Sequence, residues 1–222
     1  MIPLPQCKVV LVAGPVSSGK TYLIQQWMQG QNRVVLFDST GEFVESDMEQ
    51  IWANPKAFIL RIANNPYYFR IVYQPGRRMD EDFQWVFNSL WQLDTVKLLV
   101  VDEVHRLCPA GTVEVLSSEM NILMRMARHD RMGFIGASQS VADVNRLFRS
   151  AAYMVVLFQS NEARDLEVIN ERWGCAEQVQ GLRPLIHDTD TGVTHQVPQA
   201  VVYTKDKGVR VFDFQTDQFI EG

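Results

Sequence analysis

Short apolar runs alternate with amphipathic stretches along most of the 222-residue chain. Runs of four to eight apolar residues are typical of strands buried on both faces, and apolar residues at i, i+3, i+4 and i+7 are typical of helices. The predicted strands are 8–13, 33–38, 57–62, 69–73, 96–101, 133–137 and 153–158. The predicted helices are 22–29, 46–53, 80–93, 113–128, 141–150 and 162–173. This alternation predicts an α/β fold whose mostly parallel central sheet is flanked by helices.

The C-terminal part of the chain has a different pattern. Segments 185–188, 196–204 and 209–214 alternate between apolar and polar positions, and Asp206-Lys207-Gly208 indicates a hairpin turn. We expect 183–215 to form a small antiparallel β-hairpin extension. The length is right for one domain with a full core, so 1–222 is predicted to be a single domain.

Composition narrows the classes of function. The formal net charge of -5 and the pI of about 5.4 argue against a broad basic face, so any DNA contact must be local. Three cysteines and four histidines are scattered without the spacing of a zinc site or a disulfide framework, as in a reducing compartment. No apolar run approaches the length of a membrane span and the first residues lack the features of a signal peptide, so no stable membrane insertion is expected.

One stretch matches the phosphate-binding loop pattern G-x4-G-K-[ST] and lies between a predicted strand and a predicted helix. Its residues, with the one that follows, are Gly14, Pro15, Val16, Ser17, Ser18, Gly19, Lys20, Thr21 and Tyr22. Glycines let consecutive N–H groups point at phosphate oxygens, and the helix adds its positive N-terminus. Lys20 is predicted to reach the β- and γ-phosphates of ATP, and the Thr21 hydroxyl to bind Mg²⁺.

A second element follows the apolar strand 96–101. Asp102 is predicted to hold Mg²⁺, directly or through water, and Glu103 to polarise the water that attacks the γ-phosphate. The next predicted strand ends at Gln139, and we expect it to lie between the strand of the phosphate loop and the strand of Asp102. That position puts Gln139 near the γ-phosphate, where an amide can sense it. The combination predicts a RecA-like P-loop NTPase of the ASCE type.

The motifs together resemble the FtsK–HerA superfamily of DNA-pumping ATPases. The resemblance rests on the phosphate loop, Asp38 followed by Gly41-Glu42-Phe43, Asp102-Glu103, Arg128-His129, and the stretch from Gly133 to Gln139, with Arg149-Ser150-Ala151-Ala152 before a strand. A compact chain of this kind looks most like the genome-packaging ATPases of tailless icosahedral viruses with an internal membrane. The resemblance implies a hexameric ring that moves double-stranded DNA through a central pore, with capsid vertex proteins as further partners. It places the protein in the host cytoplasm or at a virion vertex.

The resemblance also implies an arginine finger that acts on the nucleotide of the neighbouring subunit. Arg128 matches the family position best and Arg131 is close behind, because Asp130-Arg131-Met132 alters the usual spacing. Arg146 and Arg149, on the following predicted helix, are alternatives. A finger must present a guanidinium at a subunit edge, where its charge offsets that of the departing γ-phosphate.

Other classes of function remain open. A coupling or assembly ATPase for membrane-associated export of DNA or protein shares these motifs, although such proteins normally carry a membrane segment. A small-molecule kinase shares the phosphate loop but needs a basic lid. A nucleotide-binding assembly switch needs no hydrolysis. Asp102-Glu103-Val104-His105 also spells the acidic box of some helicases, which carry two such domains, so His105 is predicted mainly to start a helix.

Overall fold

The computed structural model describes residues 1–41, 43, 47–111, 131–188 and 193–220. Twelve strands are found in these ranges: β1 (Val9–Ala13), β2 (Arg33–Phe37), β3 (Glu49–Trp52), β4 (Phe69–Gln74), β5 (Lys97–Val101), β6 (Met132–Ser138), β7 (Met154–Phe158), β8 (Ile186–Asp188), β9 (Val193–Gln196), β10 (Gln199–Thr204), β11 (Gly208–Asp213) and β12 (Gln218–Ile220). The helices are α1 (Lys20–Gln29), α2 (Pro55–Asn64), α3 (Met79–Trp91), α4 (Arg146–Ala151), α5 (Ala163–Trp173) and α6 (Ala176–Gln180), with a 3₁₀ helix at Val104–Arg106.

Ten strands form one sheet in the order β12-β11-β10-β7-β1-β6-β5-β2-β4-β3. The seven strands from β7 to β3 are parallel, so their carboxyl ends lie along one edge. β6 pairs with β1 on one side and with β5 on the other, which confirms the predicted insertion. The ends of the phosphate-loop strand and of the two strands that carry Asp102 and Gln139 therefore meet.

The central strands are buried because both faces of the sheet are covered. Val9, Leu11 and Ala13 of β1 pack into the core on one face, and Val10 and Val12 pack into the core on the other. Successive side chains of a strand point to opposite faces, so a run of consecutive apolar residues is what this position requires. The predicted α/β fold with a mostly parallel sheet is confirmed.

The predictions for 46–53 and 57–62 were wrong. The first contains strand β3, and the second lies inside helix α2. Asn54 caps α2 by accepting a hydrogen bond from the Ala57 N–H (3.0 Å), and Pro55 occupies the first turn, where a missing N–H has no cost. Phe58 and Ile62, four residues apart, are the buried face of this helix.

Two other predictions change. The structure gives a helix only from Arg146 within the predicted 141–150, because the Asn145 side chain accepts a hydrogen bond from the Leu147 N–H (2.8 Å) and caps the helix there. The predicted helix 113–128 lies outside the described residues. α6 and β12 were not predicted.

The C-terminal strands extend the main sheet. β10 pairs antiparallel with β7 and forms a hairpin with β11, whose first residue, Gly208, follows the turn with φ +69°. β8 and β9 pair with each other as a separate two-stranded sheet. The predicted antiparallel extension is thus present, and it pairs with β7, the neighbour of the strand that leads into the phosphate loop.

Candidate nucleotide site

The phosphate loop turns from the carboxyl end of β1 into α1 under tight steric limits. The Gly14 N–H donates to the carbonyl oxygen of Ser138 (3.2 Å), which ties the loop to β6. A Cβ at Gly14 would lie 2.7 Å from the Cβ of Phe158, closer than real Cβ contacts. Gly19 has φ +106°, a conformation that favours glycine, and a Cβ there would lie 3.2 Å from the Phe158 ring. Both motif glycines are therefore required by geometry.

Lys20 lies across the loop. Its Nζ donates to the carbonyl oxygens of Gly14 (2.7 Å) and Pro15 (2.8 Å). Burial lowers the pKa of Lys20, and the carboxylates of Glu103 and Asp102 oppose that shift. The two motifs that the sequence separates by some eighty positions are thus within electrostatic range of each other.

The other loop residues differ in exposure. Ser18 is buried, whereas the remaining positions are open to solvent: Pro15, Val16, Ser17, Thr21 and Tyr22. Ser17 adopts φ +58°, unusual for a residue other than glycine. The Thr21 hydroxyl is on the first turn of α1, directly after Lys20, so it is accessible beside the loop.

Asp102 is held by the loop that follows β2. Its Oδ2 accepts a hydrogen bond from the Thr40 hydroxyl (2.9 Å), and Ser39 Oγ donates to its backbone carbonyl (3.0 Å). Burial is the main cause that raises the pKa of Asp102 to about 6; the Thr40 bond lowers it, and the charges of Glu103 and Asp38 raise it further. Asp102 is partly buried, and a carboxylate with this raised pKa is a site where a cation offsets the cost of desolvation.

The carboxylate of Asp38 holds the backbone of the loop that follows β2. This buried carboxylate accepts the backbone N–H groups of Thr40 (3.1 Å), Gly41 (2.8 Å) and Phe43 (3.0 Å). It also lies 3.0 Å from the Thr40 hydroxyl. A hydroxyl has one proton, so at any moment Thr40 donates either to Asp38 or to Asp102. Asp38 therefore acts through Thr40, a residue that the sequence analysis missed.

Glu103 follows directly and is 7% exposed. Its backbone has φ +51° and ψ +56°, a strained conformation for a glutamate that is often found at functional sites. Its Oε2 accepts the backbone N–H of Gln139 (3.3 Å) and lies 3.1 Å from Nδ1 of His105. The carboxylate is thus fixed between the ends of β5 and β6.

Gln139 contributes its main chain to Glu103 and leaves its side chain exposed. A cavity of about 460 Å³ opens at this point. Its lining is mostly polar and consists of Ser39, Thr40, Glu103, His105, Arg106, Gln139 and Asp143. The amide therefore reaches the same open space as the buried glutamate.

The candidate arginines lie elsewhere. Arg131 precedes β6, at the opposite end of that strand from Gln139 and so about 26 Å away along it, and pairs with Asp94. Arg149 is half-buried in α4, where burial lowers the pKa of its guanidinium and Glu171 opposes this shift. Arg128 lies outside the described residues. Arg131 is thus not brought to the phosphate loop of its own chain.

A larger cavity of about 710 Å³ lies beside the start of α1 and was not predicted. Gly19, Tyr22, Phe158, Pro198 and Phe214 line it, and the sheet of β8 and β9 adds His187 and Thr194. Phe158 and Phe214 stack with ring centroids 5.8 Å apart, which joins the C-terminal extension to the phosphate loop. Gly19 and Tyr22 were already predicted from the phosphate-loop motif, and Phe158 could have been found from its place at the end of the strand next to β1. The others depend on how the extension folds back.

Comparison with known proteins places the chain in a family. The sequence profile of the ATPase family associated with various cellular activities (AAA) matches residues 10–160. The chain belongs to this family. This AAA protein is therefore an ATPase. A search of curated proteins finds no match to the chain.

Solved structures with the same fold include viral packaging enzymes. The genome packaging NTPase B204 of Sulfolobus turreted icosahedral virus 2, in complex with AMPPCP, superposes with a TM-score of 0.72 at 16% identity, over 97% of this chain and 98% of that one. Its complex with ATP-gammaS gives 0.69 at 17% identity, over 92% and 95%. The cytoplasmic domain of the Thermomonospora curvata type VII secretion ATPase EccC gives 0.52 at 14% identity, over 97% of this chain and 24% of that one. The resemblance to packaging ATPases seen in the sequence is confirmed at the level of the fold.

Two features are absent from the described residues. No group of three or more histidine, cysteine, aspartate or glutamate side chains is found in them that could hold a metal ion. None of their helices is long and apolar enough to cross a membrane.

Proposed function

We propose that this ATPase moves double-stranded DNA and packages a viral genome into a preformed capsid. The observation that carries the proposal is the bond between Glu103 and the Gln139 N–H, across adjacent strand ends and within range of Lys20. An exposed amide beside a buried carboxylate suits an enzyme that senses and hydrolyses a γ-phosphate. The fold shared with a viral genome packaging NTPase supports DNA as the substrate that is moved.

The phosphates and the nucleoside of ATP bind at two adjoining places, the phosphate loop and the larger cavity. Backbone N–H groups of Val16 to Thr21 hold the phosphates, and Lys20 turns from the Gly14 and Pro15 carbonyls to the β- and γ-phosphates. The nucleoside lies in the 710 Å³ cavity, where Tyr22, Pro198 and Phe214 offer apolar surface to a base. The C-terminal extension then forms part of the ATP site.

Mg²⁺ fits the oxygen donors beside the loop. The Thr21 hydroxyl and the Asp102 carboxylate are the hard ligands that Mg²⁺ prefers, and a cation relieves the cost of burying Asp102. When bound, Mg²⁺ supplies positive charge to the β- and γ-phosphates. Thr40 orients Asp102 for this role through its hydroxyl.

Glu103 is the general base for the attacking water. Its Oε2 is occupied by the Gln139 N–H, so Oε1 is the oxygen that takes the proton. Gln139 senses the γ-phosphate with its exposed amide. Because its backbone holds Glu103, loss of the γ-phosphate is transmitted to the base by one hydrogen bond.

The direct test is the ATP turnover of Glu103→Gln with and without double-stranded DNA. We expect turnover to fall about 10²- to 10⁴-fold, the usual contribution of a general base, with nucleotide affinity retained. Glu81→Gln, an exposed glutamate on α3, serves as the matched control. Unchanged turnover of Glu103→Gln would show that Glu103 is not the base. If DNA does not change the turnover of the wild-type enzyme at any protein concentration, the protein is not a DNA translocase.

A second part of the proposal is a hexameric ring in which an arginine acts on the neighbour's nucleotide. Arg128, Arg131 and Arg149 are the candidates. Arg131 is 65% exposed and remote from its own loop, which suits a group that acts on another subunit. Ring assembly also gives DNA a central pore, and capsid vertex proteins are the partners that hold the ring at the virion.

Mixing experiments test the arginines one by one. Lys20→Ala subunits retain every arginine, and a subunit that lacks the finger retains its loop, so a mixture restores turnover only if the finger acts in trans. We expect one of the three Arg→Ala variants to be inactive alone and to recover with Lys20→Ala. Arg78→Ala, whose arginine is exposed at the start of α3, is the control. Failure of all three to recover contradicts the trans finger.

A further inference from the structure

His105 lies where it can hold the proposed base, a role that the phosphate-loop chemistry does not assign to it. It is on the 3₁₀ helix Val104–Arg106, directly after Glu103, and its side chain is 32% exposed. Its Nδ1 lies 3.1 Å from Glu103 Oε2 and 3.2 Å from the hydroxyl of Ser138. One ring nitrogen thus faces two oxygen atoms from two different strand ends.

The hydrogen-bond network fixes which ring nitrogen carries the proton. The Ser138 hydroxyl donates its only proton to the carbonyl oxygen of Ser140 (2.8 Å), so towards His105 it acts as an acceptor. The Glu103 carboxylate is also an acceptor. Both oxygens need a donor, and Nδ1–H supplies it. The neutral ring therefore carries its proton on Nδ1.

Close packing of the 3₁₀ helix against β6 holds the His105 ring near these two oxygen atoms. A Cβ at Gly136 of β6 would lie 3.0 Å from Cγ1 of Val104, so the glycine lets the 3₁₀ helix approach the strand. Ser138 is fully buried, and its carbonyl oxygen also accepts the Gly14 N–H. The acceptor of the His105 bond is therefore fixed to the phosphate loop itself.

We propose that His105 is a positioning residue that fixes the Glu103 carboxylate by donating Nδ1–H to Oε2. This inference rests on the proposed role of Glu103. Oε2 then receives two donors, His105 Nδ1–H and the Gln139 N–H, and among the described residues no donor to Oε1 is found. The two bonds set the carboxylate plane and direct Oε1 to the water. Without His105 the carboxylate keeps one donor and can rotate away from the water.

Two isosteric variants isolate the bond. Asparagine Nδ2 is three bonds from Cα, as is histidine Nδ1, whereas glutamine Nε2 corresponds to histidine Nε2. We expect His105→Ala and His105→Gln to lower kcat about 10- to 100-fold, since small misplacement of a catalytic group has costs of this size. His105→Asn should recover most of kcat. The KM for ATP, the Kd of a non-hydrolysable ATP analogue and the thermal midpoint should stay near wild type. His195→Ala, exposed on β9, is the control.

Each other outcome overturns the inference. Wild-type kcat in His105→Ala means that Glu103 needs no second donor. Equal loss in His105→Ala and His105→Asn, or loss of nucleotide affinity, means that the ring acts by its bulk. In the Glu103→Gln background, His105→Ala should have no further effect, and a further loss means that His105 acts elsewhere. Wild-type turnover of Glu103→Gln alone would instead sink the proposed function, so the two failures are distinguishable.

Discussion

The two halves of the candidate site are built in different ways. The phosphate loop is a contiguous stretch between β1 and α1 whose shape comes from its own backbone and from two glycines pressed against Phe158. The carboxylate half is assembled from the ends of β2, β5 and β6, through side-chain bonds between Thr40 and Asp102 and between Glu103 and Gln139. The first half is local in the chain, and the second exists only after the strands have paired.

The two halves should therefore respond differently to substitutions. Removing a side chain from the local half alters contacts with the nucleotide but leaves the sheet intact. Removing a side chain from the assembled half changes the position of a partner many residues away. The assembled half also holds the carboxylates of the partly buried Asp102 and the buried Glu103 close together, which costs free energy of folding.

The largest effect should come from Lys20→Ala in the local half. Loss of this ammonium removes a donor to the phosphates, and we expect ATP turnover to fall about 10²- to 10³-fold or more. Burial lowers the pKa of Lys20, so the charged ammonium costs the folded state free energy; its removal offsets the loss of its two hydrogen bonds to the loop, and the free energy of unfolding should change little. Steady-state ATPase assays and urea unfolding measure the two quantities. An equally large loss of stability would contradict the separation between catalysis and folding.

Asp102→Asn should separate stability from activity in the assembled half. The folded pKa of Asp102, about 6, lies above the ordinary aspartate value of 3.8. The charged form therefore costs the folded state up to about 3 kcal/mol above pH 6, and this cost disappears as the pH falls below 4. Without nucleotide or divalent cation, the variant should be more stable than wild type, with a larger gain at pH 8 than at pH 5. Its turnover should be lost.

Urea unfolding at the two pH values measures the Asp102→Asn effect. Asp80→Asn, in the first turn of α3, is the control and should lose less than about 1 kcal/mol. A gain that does not depend on pH would show that desolvation of Asp102 is not its source.

Gly14→Ala tests the steric limit of the local half. The new Cβ would meet Phe158 at 2.7 Å, and such overpacking typically costs about 1–3 kcal/mol. Gly30→Ala is the matched control, because Gly30 has φ -84° and no atom within 4 Å of an added Cβ. The denaturant midpoint reports both variants. Equal midpoints would mean that Phe158 moves aside without cost.

Thr40→Val should have the smallest effect of these variants, and it tests the assembled half through one hydroxyl group. It removes the hydroxyl shared by Asp38 and Asp102, at a cost of about 1 kcal/mol for one hydrogen bond, and turnover should fall severalfold as Asp102 loses its donor. Thr40→Ser keeps the hydroxyl and should behave as wild type. If Thr40→Ser loses activity and Thr40→Val does not, the methyl group rather than the hydroxyl is what matters.

Sequence patterns predicted the fold well where burial leaves little choice. Runs such as Val9–Ala13 and Lys97–Val101 were assigned correctly because a strand covered on both faces needs consecutive apolar residues. The strand predicted at 57–62 was wrong. Its apolar residues suit either a strand or a helix, and the cap at Asn54 selects the helix. The pattern also missed β12, a short edge strand that exists only because β11 is beside it.

The residue pattern alone predicts the chemistry of the local half and names the acidic pair. The phosphate loop is readable because its glycines, lysine and threonine act through contiguous backbone. Only the tertiary structure decided that Thr40 supports Asp102, that His105 faces Glu103, and that Phe214 reaches the cavity beside Tyr22. These contacts depend on strand order and on the return of the C-terminal strands. The physical reason is that a hydrogen bond or a stacked ring is fixed within a few tenths of an ångström, whereas a pattern of apolar and polar residues specifies only which face a side chain occupies.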